Sequence, residues 1–121
     1  MTQFKIFSSL LILIFLLSCS TIKKQDYYYN EIVIRNNTRL TLKKVVIKVP
    51  KTQRVFSCSN IAPQGTCTNG FKKTRYQRNP INFSWIYQDE KKNRNNIIIE
   101  IPENMNHEIP LRGVLEIKSN G

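Results

Sequence analysis

Ile81-Asn82-Phe83-Ser84-Trp85-Ile86-Tyr87-Gln88 is the stretch whose reading decides the fold. Successive residues of a strand point to opposite faces, so Ile81, Phe83, Trp85 and Tyr87 fall together on one face. The segment is predicted as the central strand of a core, with its large face inward. Left exposed, the same row would make a stacking platform for sugars or bases, and burial is the favoured reading.

The pattern recurs on both sides of this strand. Residues 27–35 are β-rich, with Ile32 and Ile34 on one side and Val33 on the other, and Asn36-Asn37-Thr38 reads as a turn. Leu40, Leu42, Val45, Ile47 and Val49 continue as a long strand ending before Pro50. The step from Leu42 to Val45 across Lys43-Lys44 is odd, which in a strand calls for a bulge or bend. Residues 54–59 give a further strand and residues 60–69 a turn-rich segment. After the central strand, residues 89–96 read as a charged hairpin-like loop, 97–101 as a strand and 111–118 as the last strand. Nowhere after residue 19 do apolar residues hold a helical spacing for more than a turn. Six or seven strands without intervening helices predict an all-β fold, a small antiparallel β-sandwich that is Ig-like in the loose sense. An antibody-type domain would place its Trp between two cysteines in sequence; here both Cys58 and Cys67 precede Trp85.

The 121 residues suffice for one domain. One histidine, no Gly-rich phosphate loop and no carboxylate pair around a nucleophile argue against hydrolase, kinase and metalloenzyme chemistry. No catalytic residue, metal site or cofactor is expected. The sole histidine, His107, reads as a solvated loop residue.

The N-terminal segment carries the most specific signal. Residues 1–18 hold one charge, Lys5, followed by a nearly unbroken apolar run from Ile6 to Leu17. Twelve helical residues rise about 18 Å, short of the roughly 30 Å hydrocarbon core, so the run reads as the apolar region of a signal peptide. Leu16-Leu17-Ser18-Cys19 then resembles the lipobox of bacterial lipoproteins. That resemblance implies cleavage before Cys19, diacylation of its sulfur and a cell-envelope location. Two or three acyl chains, at about 0.8 kcal/mol per buried methylene, anchor a protein stably where one does not. Ser20 at the following position, by resemblance to the sorting rule of enteric bacteria, favours the outer membrane facing the periplasm. The organisation expected is a signal peptide at 1–18, a lipidated tether at 19–26 and a β-sandwich domain at 27–121.

With Cys19 assigned to lipid, Cys58 and Cys67 remain as a pair in an oxidising compartment and are expected to form a disulfide. Metal sites want more ligands at tighter spacing. A bridge across such a short loop is worth about 2.5–3 kcal/mol in chain-entropy terms.

Charge is unevenly distributed. The chain carries 19 Lys plus Arg against 8 Asp plus Glu, a formal +11. Between residues 19 and 78 the acidic side chains are Asp26 and Glu31 alone, whereas the basic ones include Lys43, Lys44, Lys48, Lys51 and Arg54. Such a chain favours anionic lipid headgroups, lipopolysaccharide phosphates or acidic polymers. Lys and Asn are also abundant enough for the charge to be a solvated, compositional surface. The most binding-like segment is 71–79, where Tyr76 sits among Lys72, Lys73, Arg75 and Arg78, the candidate anion-binding residues. Tyr27-Tyr28-Tyr29 reads as an interfacial aromatic cluster beside the anchor or as the start of a strand.

Three functions are consistent with these features. The leading one is a lipid-anchored, non-catalytic interaction module for an envelope protein complex. The second is binding of an anionic envelope polymer or lipopolysaccharide through a basic face. The third is a lysozyme inhibitor of lipoprotein type, which ranks lowest because lysozymes are usually basic and would repel this chain. Nucleic acid is not an expected partner for an exported protein.

Overall fold

A computed structural model describes residues 26–118. The signal peptide expected at 1–18, the lipidation expected at Cys19 and the tether expected at 19–26, up to residue 25, lie outside the described residues. The domain is all-β, with seven strands: β1 Tyr28–Asn36, β2 Leu42–Val49, β3 Arg54–Ile61, β4 Thr66–Arg75, β5 Ile81–Tyr87, β6 Glu90–Ile97 and β7 Leu111–Ile117. They form a sandwich of a three-stranded sheet, β4-β1-β7, and a four-stranded sheet, β3-β2-β5-β6.

The core follows from alternation. Ile81, Phe83, Trp85 and Tyr87 of β5 are all buried, as are Val45, Ile47 and Val49 of β2 and Ile32 and Ile34 of β1. Phe83 and Trp85 pack at a ring separation of 4.8 Å. The predicted irregularity at Lys43-Lys44 is present: pairing with β5 shifts between Lys43 and Val46, and Lys44 takes a left-handed φ of 48°. The bulge keeps Leu42 and Val45 on the same buried face despite their odd spacing.

Four features differ from the sequence reading. First, β1 and β7 pair in parallel, although the other pairs are antiparallel. Strand direction alternates along the chain, so the first and seventh strands run the same way, and here they are neighbours. Second, β4 occupies residues read as a turn-rich segment and a basic loop. Its inward positions are Cys67, Asn69 and Phe71, so the alternation lacks aliphatic residues, and pairing to β1 supplies its backbone partners. Third, β6 is a strand over the charged segment read as a loop. Gln88 and Asp89, both at positive φ, make the tight two-residue turn of a β5–β6 hairpin. Fourth, only Ile97 of the isoleucine run belongs to a strand. Asn96 at φ 57° turns the chain away, and residues 98–110 cross one end of the sandwich without joining a sheet.

At the opposite end, a buried polar clamp joins β1 to β3. The fully buried Asn36 donates through Nδ2 to the carbonyls of Leu40 (2.8 Å) and Ile61 (2.9 Å), and its Oδ1 accepts from the Thr38 N–H (3.0 Å) and hydroxyl (2.6 Å). The predicted turn at Asn36-Asn37-Thr38 is therefore inside the protein. Gly65 completes this corner, since a Cβ there would stand 2.9 Å from the Ala62 carbonyl oxygen.

Candidate functional site

Cys58 and Cys67 form a disulfide, with Cα atoms 6.5 Å apart. It does more than close a loop, because β3 and β4 are edges of different sheets. The bridge staples one side of the sandwich. On the other side β6 and β7 are the remaining edges, separated by a cleft of about 570 Å³ lined by Phe83, Trp85, Ile97, Leu115 and Ile117, with Lys92, Arg94 and Lys118 among its polar lining. Trp85 Nε1 is buried without an acceptor among the described residues.

The four cations of the 71–79 segment do not act as one patch. Arg75 pairs with Asp26 (3.0 Å) and Arg78 with Glu100. Lys73 lies over the ring of Tyr28 at 4.8 Å, and Lys72 is exposed with no carboxylate partner among the described residues. Two of the four charges are thus spent on local carboxylates, in exposed pairs each worth about 0–1 kcal/mol. Tyr28 and Tyr29 belong to β1; Tyr29 packs edge-on against Phe71 and Tyr76, 5.0 and 5.9 Å between ring centroids.

A more uniform cationic surface lies on the outer face of the four-stranded sheet. Register places Val55, Lys48 and Asn82 in one row, Ser57, Val46, Ser84 and Asn93 in the next, and Asn60, Lys43, Ile86 and Lys91 in a third. Lys44 projects beside them from the bulge. Among the described residues these rows contain no Asp or Glu. The outer face of the other sheet carries both signs: Glu31 pairs with Arg112 (2.9 Å), and Asn37 donates to Glu116. Sequence spacing did not reveal this difference, because Lys91 joins the lysines of β2 only through pairing across β5.

The third feature is an apolar cavity of about 250 Å³ at the end where β1 begins, lined among others by Tyr29, Ile32, Val49, Ile81, Ile99 and Leu111. Residues 98–110 cross this end and are fastened by side chains. Tyr76 donates its hydroxyl hydrogen bond to the Ile99 carbonyl, Arg78 pairs with Glu100, and the Tyr27 hydroxyl donates to the Met105 carbonyl (3.3 Å). Burial, and then the nearby Glu100 carboxylate, push the Tyr76 hydroxyl above the usual tyrosine pKa. Arg54 also lines the cavity. Its guanidinium lies over Phe71 at 5.1 Å, and its Nη1 is buried with no acceptor among the described residues.

No group of three or more His, Cys, Asp or Glu able to hold a metal ion occurs among the described residues. No family model, curated protein or solved structure matches the chain.

Proposed function

We propose that this protein is a lipid-anchored, non-catalytic interaction module of the cell envelope, held at the membrane through Cys19 and docking an envelope protein through the outer face of its four-stranded sheet. The observation that carries the reading is the composition of that face. Val46 and Ile86 lie at its middle, polar Ser and Asn surround them, and Lys43, Lys48 and Lys91 supply one sign of charge without a carboxylate. A sheet face with aliphatic residues between charges suits an acidic protein surface, where complementarity sets register and speeds encounter. The Cys58–Cys67 disulfide supports an oxidising compartment, and the lipobox-like Leu16-Leu17-Ser18-Cys19 supports the anchor.

A photo-crosslinking residue placed at Val46 of the full chain in intact cells tests the docking. A discrete protein adduct that disappears when Lys43, Lys48 and Lys91 are changed to Glu supports the reading; adducts to lipid alone overturn it. The anchor is tested separately by intact mass, which should match residues 19–121 plus acyl chains.

A second reading, binding of an anionic polymer or lipopolysaccharide, draws on Lys72 and Lys73, the members of the 71–79 cluster without carboxylate partners among the described residues. Charge reversal at these two should abolish retention on lipopolysaccharide while leaving the melting temperature unchanged. Unaltered retention would end that reading.

A further inference from the structure

The apolar cavity beneath residues 98–110 is a binding site in its own right: we propose that it takes a single acyl chain bearing a carboxylate, with Arg54 as the counter-ion. This site is separate from the outer face of the four-stranded sheet and does not rest on the docking proposal.

Volume and lining define the tail. At about 250 Å³ the cavity exceeds the roughly 150 Å³ apolar cavity that suffices for benzene, and most of its surface is apolar. Ile32, Val49, Ile81, Ile99 and Leu111 offer aliphatic contact, and the single cavity accommodates one chain. Electrostatics define the head. Three arginines and one carboxylate, Glu100, line the cavity; Glu100 is held by Arg78, Arg75 by Asp26 and Arg112 by Glu31. Arg54 alone of the three has no such partner among the described residues. A guanidinium keeps its charge in a protein; Nη1 is covered by protein, so an anion in the cavity would meet the rest of the Arg54 guanidinium, whose charge no carboxylate offsets among the described residues. A ligand carrying an apolar tail and a carboxylate meets both demands at once.

The cover provides the route. Residues 98–110 belong to no sheet, and the side-chain links from Tyr76, Arg78 and Tyr27 hold them down. The cavity is already part open to solvent, so a chain can enter beside this segment without disturbing a strand pair. The mouth lies at the end of the sandwich where the chain enters β1, the end nearest the membrane in a protein anchored at Cys19.

The test uses the full chain in phosphatidylcholine nanodiscs with decanoate carrying a diazirine on its tail, the labelled residues being mapped by mass spectrometry. Labelling is expected at Ile81, Ile99 and Leu111, reduced at least tenfold by Arg54→Gln and weak with the matching neutral alcohol. Gly113→Leu provides a second variant. A Cβ at Gly113 meets Ile32 and Ile99 at 3.7 Å, ordinary contact, so a larger side chain there grows into the cavity and should block labelling in a folded protein, checked by circular dichroism. A phosphatidylglycerol bearing the same diazirine, with two chains and a phosphate in place of the carboxylate, should label the cavity weakly; labelling there as strong as with decanoate would overturn the proposal in favour of a membrane lipid. Labelling scattered over the surface, or labelling at the cavity that survives both Arg54→Gln and Gly113→Leu, would overturn the proposal.

Discussion

Cys58 and Cys67 are nine positions apart in sequence yet belong to opposite sheets of the sandwich, and their disulfide cross-links the two layers. Asn69 reinforces the spot, its side-chain amide lying 3.6 Å and 3.9 Å from the two sulfurs.

The double substitution of Cys58 and Cys67 to Ala should lower stability by about 2–4 kcal/mol, the ordinary worth of a disulfide. The urea midpoint measures it. Because the bond staples two edges, hydrogen exchange should accelerate first in β3 and β4, with β5 protected longest; uniform acceleration would contradict the staple.

Asn36 should be among the least replaceable residues. Its side chain makes four hydrogen bonds at one corner, three of them buried; Asn36→Ala removes the side-chain partners of the Ile61 carbonyl and the Thr38 N–H, whereas the Thr38 hydroxyl and the Leu40 carbonyl still have each other. Each stranded buried group costs about 1–3 kcal/mol, enough together to threaten a domain of this size. A loss under about 1 kcal/mol in thermal unfolding would show that the corner readily rearranges.

Lys44→Gly should be stabilising. Lys44 holds a φ of 48°, where a side chain is disfavoured and glycine is not, and it is exposed, so little packing is lost. The gain expected is about 0.5–1 kcal/mol, whereas the β-branched Lys44→Val should lose at least as much. Melting temperatures of the pair give the comparison.

Tyr76 should make the cover over the cavity sensitive to alkali. Its hydroxyl is raised above 10.0 in the folded protein by burial and by Glu100. A raised pKa means that the folded state favours the protonated form; this contribution is fully present below the unfolded value and is lost as pH rises through the folded one. The protection of residues 98–106 from hydrogen exchange, taken relative to the base-catalysed intrinsic rate, should therefore fall above about pH 10, where unperturbed tyrosines ionise. Tyr76→Phe should show fast exchange in the same residues already at pH 7, without the alkaline step.

Much of the strand plan was legible because burial imposes a period of two. Ile81 to Tyr87 alternates cleanly, and the odd Leu42-to-Val45 step shows the bulge that the backbone adopts at Lys44. The hidden strands are the edges. β4 and β6 present one face to solvent or to a sheet margin, so Thr, Asn, Lys and Glu suffice there and their pairing is fixed by β1 and β5. The isoleucines after Ile97 misled in the opposite direction: Ile98 is exposed, and Ile99 and Ile101 are half-buried at the end of the sandwich and not in a strand.

The candidate surfaces divide in the same way. The segment 71–79 stands out in sequence by its run of cations, but a linear count cannot see that Asp26 and Glu100, distant along the chain, meet Arg75 and Arg78. By itself the sequence determined the all-β class, the inward row of β5 and the basic excess, since these follow from composition and local periodicity. Tertiary structure alone decided that the disulfide joins two sheets, that Lys43, Lys48 and Lys91 share a face without carboxylates, and that Arg54 is left beside an apolar cavity. Each of these depends on which strands become neighbours, and neighbourhood is set by long-range pairing whose energy no local stretch of sequence contains.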